Sequence, residues 1–160
     1  MDGQRKSNRK RKSRSDKGQV RATERDLRIM TYIGEQYAIS LDHLKKLLEM
    51  EKRESLSDAT VKRLCIRWES AGWIEKRKLL ASQPQWVWLS KTGLQEMELE
   101  YPYRAPSLAR LNHIYYTNAV RLYIEKKRGN AVEWISDRLV NVERKAEKKK
   151  HIVDGELLLE

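Results

Sequence analysis

A chain of 160 residues has room for one domain of ordinary size, or one small domain with an appended piece, which excludes two large independent cores. A formal charge of +11, with 36% of residues charged, points to a polyanionic partner, and no run approaches the ~18 apolar residues of a membrane span. The single cysteine, Cys65, excludes an internal disulfide and a CxxC zinc site, and its place on an apolar helix face makes it a small core residue.

The first twenty residues, MDGQRKSNRKRKSRSDKGQV, set eight Lys or Arg against Asp2 and Asp16, so they hold +6 of the +11 and the other 140 residues hold only +5. With almost no apolar side chain to bury, this arm (residues 1–20) is expected to be disordered until it meets a partner. Arg9, Lys10, Arg11 and Lys12 are its candidate phosphate contacts, with a plain solubility tail as the alternative. It has no apolar h-region, so it is no secretory signal, and the chain reads as cytoplasmic with no membrane partner.

Thr23 opens TERD, with acids in a first turn, and Leu27, Met30 and Ile33 recur at helical spacing up to about Tyr37. In AISLDHLKKLLEM, Ser40 is an expected N-cap, and Leu41, Leu44, Leu47 and Leu48 share one face of a short second helix over 41–49, followed by a loop EKRESLS. Ser57 caps a third helix, 58–71, whose buried stripe is Val61, Leu64, Cys65 and Trp68, and Gly72 supplies its left-handed stop. Its opposite face carries Thr60, Lys62, Arg63 and Arg67.

Beyond the glycine, WIEKRKLL and QWVWLS are aromatic and β-branched runs separated by ASQP, the pattern of a hairpin. Trp73, Trp86 and Trp88 are expected to pack against helices. SKTGLQEMELE predicts a fourth helix from near Ser90, ending before Pro102, and YPYRAP is the best boundary. A long helix is expected over 107–128, stopped by Gly129 and Asn130, then a strand AVEWISD, a charged helix end or loop ERKAEKKK and a last strand HIVDGELLLE.

Three short helices followed by a hairpin give the order of a winged helix-turn-helix, so the expected fold class is α+β: a DNA-binding domain over 21–100 followed by a small α/β part over 107–160. Helix 41–49 would support, and helix 58–71 would enter the major groove of double-stranded DNA. Such a helix needs one apolar face to lock it and another with donors that reach phosphates and base edges. Arg63 and Arg67, one turn apart, are the leading contacts, with Thr60 and Lys62 beside them and Lys76, Arg77 and Lys78 on the strand leading to the wing tip. The competing reading is that any amphipathic helix has a charged outer face.

The succession ERDLRIMTYI, AISLDHLKKLL, SDATVKRLCIRWESAGWIEKRKL and WVWLSKTGL resembles the winged-helix half of the replication-relaxation family of bacterial plasmids and mobile elements. The resemblance continues through SLARLNHIYYTNAVRLYIE, where His113, Asn118 and Arg121 match the family's H, N and R positions, to EWISDRL and HIVDGELLL, and spans about residues 24–159. It implies DNA binding, a bacterial, phage or plasmid origin, and a part in plasmid replication, DNA relaxation or transcription regulation.

Two further readings compete. Asp137 and Asp154 resemble the opening of a restriction-endonuclease-like core, where acids hold Mg²⁺, but no Glu-x-Lys follows Asp154 before Glu160. Asp154, Glu156 and Glu160 share a strand face that also fits a solvated edge. A protein-interaction or inhibitor module on the same fold is the third class, with an unidentified protein partner. The three histidines form no ligand set: His43 sits in a helix, His113 shares a polar stripe with Thr117 and Arg121, and His151 stands near Asp154. The expectation is binding, not turnover, with no catalytic residue, cofactor or metal, and with helix 107–128, apolar on more than one side, as a homodimer seam.

Overall fold

A computed structural model describes residues 20–144 and 154–159. Arg9, Lys10, Arg11, Lys12, His151 and Glu160 lie outside the described residues.

Helix α1 (Glu24–Glu35) starts in a capping box: the Thr23 hydroxyl accepts from the Asp26 amide at 3.2 Å while the Asp26 carboxylate accepts from the Thr23 amide at 3.0 Å. It stops before Tyr37, whose positive φ of 66° turns the chain into β1 (Ile39–Ser40). Helix α2 (Leu41–Lys52) follows directly. Ser40 makes no side-chain cap; the first amide of α2 donates instead to the Gln85 carbonyl at 2.9 Å. The helix runs past the expected end at residue 49, taking Glu51 and Lys52 out of the predicted loop; in this extra turn Met50 packs against the core and Glu51 accepts from Arg28 of α1 at 2.6 Å.

Helix α3 (Asp58–Ser70) is capped as its sequence implies: the Ser57 hydroxyl accepts from the Thr60 amide at 3.2 Å, and Gly72 has φ 77°. Strands β2 (Ile74–Arg77) and β3 (Trp86–Leu89) form the predicted antiparallel hairpin, with Ile74 opposite Leu89 and Arg77 opposite Trp86. The unpredicted β1 pairs with the other edge of β3, giving a three-stranded sheet in the order β1-β3-β2. Helix α4 (Lys91–Glu96), capped by Ser90, closes this half.

The sheet is covered on both faces. Alternation along β3 sends Val87 and Leu89 into the core built by Ile29, Met30 and Ile33 of α1, Leu44 and Leu48 of α2, and Val61, Cys65 and Trp68 of α3. Trp86 and Trp88 point the other way, onto Leu111 and Ile114 of helix α5 (Leu111–Arg128), which is preceded by a 3₁₀ turn at Leu108–Arg110. All four residues of β3 are therefore buried.

Polar contacts fix α5 in place. The Asn118 amide donates to the Ala38 carbonyl at 2.9 Å, the Tyr115 hydroxyl donates to Asp42 at 2.8 Å, and Arg121 bonds both Glu35 and Glu125 at 2.7 Å. Arg121 is thus buried, 4.0 Å over the Tyr32 ring, and does not continue an exposed polar stripe from His113.

Strand β4 (Val132–Ser136) pairs antiparallel with β5 (Gly155–Leu159). Between them, helix α6 (Asp137–Arg144) begins at the residue expected to end the strand. The Ser136 hydroxyl accepts from the Leu139 amide at 3.3 Å, so Ser136 and Asp137 start a helix instead. Buried Arg138 of α6 then donates to the carbonyls of Gly34, at 2.8 Å, and Pro102, and lies between the rings of Tyr37 and Tyr101.

Candidate nucleic-acid interface

The inward stripe of α3, Val61, Cys65 and Trp68, is buried, with Leu64 partly so. Burial pushes the Cys65 thiol up to about 11, which makes it an inert core group. With those positions turned inward, α3 presents Ala59, Lys62, Arg63, Ile66 and Ser70 to the outside. Asp58, at the first turn, is ion-paired with Lys45 of α2 at 2.8 Å, which pins the start of α3 to its neighbour.

The named contacts have different surroundings. Lys62 is exposed, and so is Arg63, whose guanidinium makes one 3.3 Å hydrogen bond to the Thr60 hydroxyl. Thr60 also shares a 3.0 Å hydrogen bond with Ser57 inside the cap, so its hydroxyl already serves the helix start. Arg67 is committed to the fold: it reaches Asp26 at 2.7 Å and donates to the Arg21 carbonyl at 3.1 Å. The same fully buried Asp26 accepts the Trp68 indole at 3.0 Å. Burial raises the Asp26 carboxyl, but hydrogen bonds from Thr23, Trp68 and Arg25 outweigh it and hold the group down at about 2.

On the hairpin, Lys76 lies 3.5 Å from Glu69 and is only 18% exposed, so it joins β2 to the end of α3. Arg77 and Lys78 are exposed just beyond it. Glu75 accepts from the Trp88 indole at 3.1 Å and the Tyr103 hydroxyl at 2.9 Å, which commits that carboxylate to holding the linker against the hairpin. The exposed cations among these positions are Lys62, Arg63, Arg77 and Lys78.

Ile66 was not among the sequence candidates, yet it is 56% exposed, one turn beyond Lys62 and Arg63 on the same face. A helical projection with Val61, Cys65 and Trp68 inward places it outward, so its signal was present as an apolar residue where solvation alone calls for a polar one.

No family model, curated protein or solved structure matches the chain. The resemblance to the replication-relaxation family therefore rests on the order of segments in this sequence.

A second polar cluster lies between α5 and the β4–α6 junction. Arg110 is 3.8 Å from Asp137, and His113 Nε2 is 3.4 Å from Asp154. Burial raises the Asp137 carboxyl, with Arg110 opposing and Asp154 reinforcing the shift. The two acids of the nuclease-like reading are thus within electrostatic reach of each other, each beside a basic side chain. Among the described residues, no group of three His, Cys, Asp or Glu is arranged to hold a metal ion. His43 is buried and stacked on Tyr115 at 4.2 Å, and burial lowers its pKa. Among the described residues, no helix is long and apolar enough to cross a membrane.

Proposed function

We propose that the chain is a winged helix-turn-helix protein that binds duplex DNA, with α2 as the supporting helix, α3 as the reading helix and the β2–β3 hairpin as the wing. The observation that carries the proposal is the outer face of α3, where exposed Lys62 and Arg63 stand one turn before the exposed apolar Ile66 on a helix whose other face is locked into the core. Arginine and lysine reach phosphates and guanine edges, and an apolar side chain one turn along the same face suits a thymine methyl. The helix order and the antiparallel sheet β1-β3-β2 support the same reading. Arg77 and Lys78 would add backbone contacts from the wing, and the basic arm would add sequence-independent attraction. Arg67 acts on this interface indirectly, by positioning α3 against α1. The family resemblance extends the proposal to plasmid or other mobile-element DNA, in replication or its regulation.

Selection of bound duplexes from a random pool tests this. An enriched sequence is expected, and Ile66→Ala should relax it at one or two positions while leaving affinity for random duplex unchanged. A pool that never departs from random would contradict reading by α3.

The proximity of Asp137 and Asp154 favours one alternative, a metal-dependent nuclease or its remnant. That reading predicts Mg²⁺-dependent nicking of supercoiled plasmid that disappears in Asp154→Ala.

A further inference from the structure

Away from the core, α5 carries Tyr116, Val120 and Tyr123, which are 68%, 50% and 63% exposed. They are spaced four and three residues apart, the spacing of a coiled-coil seam. The ends of this seam differ in charge. One turn past Tyr123, the Lys127 ammonium lies 5.7 Å from that ring's centroid. At the other end, His113 is paired at 3.4 Å with the Asp154 carboxylate, which is 69% exposed and open to a further cation.

Lys127 and His113 each stand seven residues from Val120. An antiparallel second copy centred on Val120 therefore brings Lys127 to the His113–Asp154 end of its neighbour, at both ends at once. The same placement lays Tyr116 alongside Tyr123 of the other copy. A parallel copy would instead set Lys127 against Lys127 and Asp154 against Asp154, and would align the two helix dipoles unfavourably. We propose that this face pairs with a second copy of the same chain, α5 against α5, antiparallel about a two-fold axis at Val120. This inference stands apart from the DNA reading. A strip about 27 Å long and 10–12 Å wide covers less than the roughly 800 Å² per partner of a standard interface, so the dimer should be a micromolar one.

Sedimentation of the full chain over a wide concentration range tests the pairing. The wild type should shift from monomer to dimer, and Tyr116→Glu with Tyr123→Glu should stay monomeric with an unchanged melting temperature. Lys127→Glu should weaken the dimer several-fold, and adding Asp154→Lys to it should restore the wild-type constant. Under mild oxidation Val120→Cys should cross-link to itself and Asn112→Cys should not, the buried Cys65 remaining silent in both. A monomer at every concentration overturns the proposal, as does cross-linking through Asn112→Cys, which marks a parallel pair. A monomeric wild type whose tyrosine variants lose DNA affinity would assign the face to nucleic acid and overturn it equally.

Discussion

Asp26 ties α1 to α3 through Arg67 and the Trp68 indole, and it does so from a position with no solvent exposure. Removing one member of a buried charged network leaves the others unpaired, so Asp26→Ala should cost about 3–5 kcal/mol in urea unfolding. Arg63→Ala, on the solvent side of the same helix, should stay within about 0.5 kcal/mol. The carboxyl also sets an acid limb. Its folded pKa, about 2, lies below the ordinary value of 3.8, so its contribution is complete above 3.8 and is lost as pH falls toward 2. Asp26→Asn should therefore flatten the fall in urea midpoint across that window; an unchanged slope would remove Asp26 as its cause. Little of this was legible in the sequence. Asp26 reads there as an ordinary first-turn acid, and its partner Arg67, 41 residues away, reads as a surface cation. Chain order does not show which of two arginines one turn apart faces a buried carboxylate.

At the level of elements, two glycines separate steric from torsional control. A Cβ on Gly93 would meet the Trp73 carbonyl oxygen at 1.9 Å, where α4 crosses the start of β2, whereas at Gly72 nothing lies within 4 Å and φ is 77°. Gly72→Ala should thus cost roughly 1–2 kcal/mol from the left-handed backbone alone. Gly93→Ala forces backbone apart and should cost more, about 3 kcal/mol, in thermal unfolding. Equal losses at the two sites would contradict the close approach. The starts of α1, α3 and α4 and the end of α3 were legible because Thr23, Ser57, Ser90 and Gly72 punctuate them, whereas α2 runs past residue 49 and α4 stops at Glu96, short of Pro102, with Glu98 at a positive φ of 53°. Strand β1 was not, because two residues show no period and Ile39–Ser40 is a strand only by pairing with β3. The start of α6 carried a readable signal, Ser136 followed by Asp137, but the β-branched run before it continues smoothly into that cap.

For the whole molecule, α5 makes the sheet a middle layer, and Arg121 holds that arrangement by bridging Glu35 of α1 and Glu125. Arg121→Ala leaves two half-buried carboxylates unpaired and should cost about 3–5 kcal/mol, with loss of near-ultraviolet signal from Trp86 and Trp88. The prolines of YPYRAP mark the end of one helical pattern, but the sequence did not show that Tyr101 and Pro102 would receive Arg138 from α6. The charge that first pointed to nucleic acid lies mostly in the arm, whereas the proposed reading surface depends on a few cations of the folded part. A titration of the full chain against duplex DNA by fluorescence anisotropy, repeated between low and physiological salt, separates the two. Lys62→Ala with Arg63→Ala should lose about tenfold or more in affinity and flatten the salt dependence by about two phosphate contacts, with stability unchanged. Wild-type affinity and salt slope in that double variant, with binding lost only when residues 1–20 are deleted, would contradict the account.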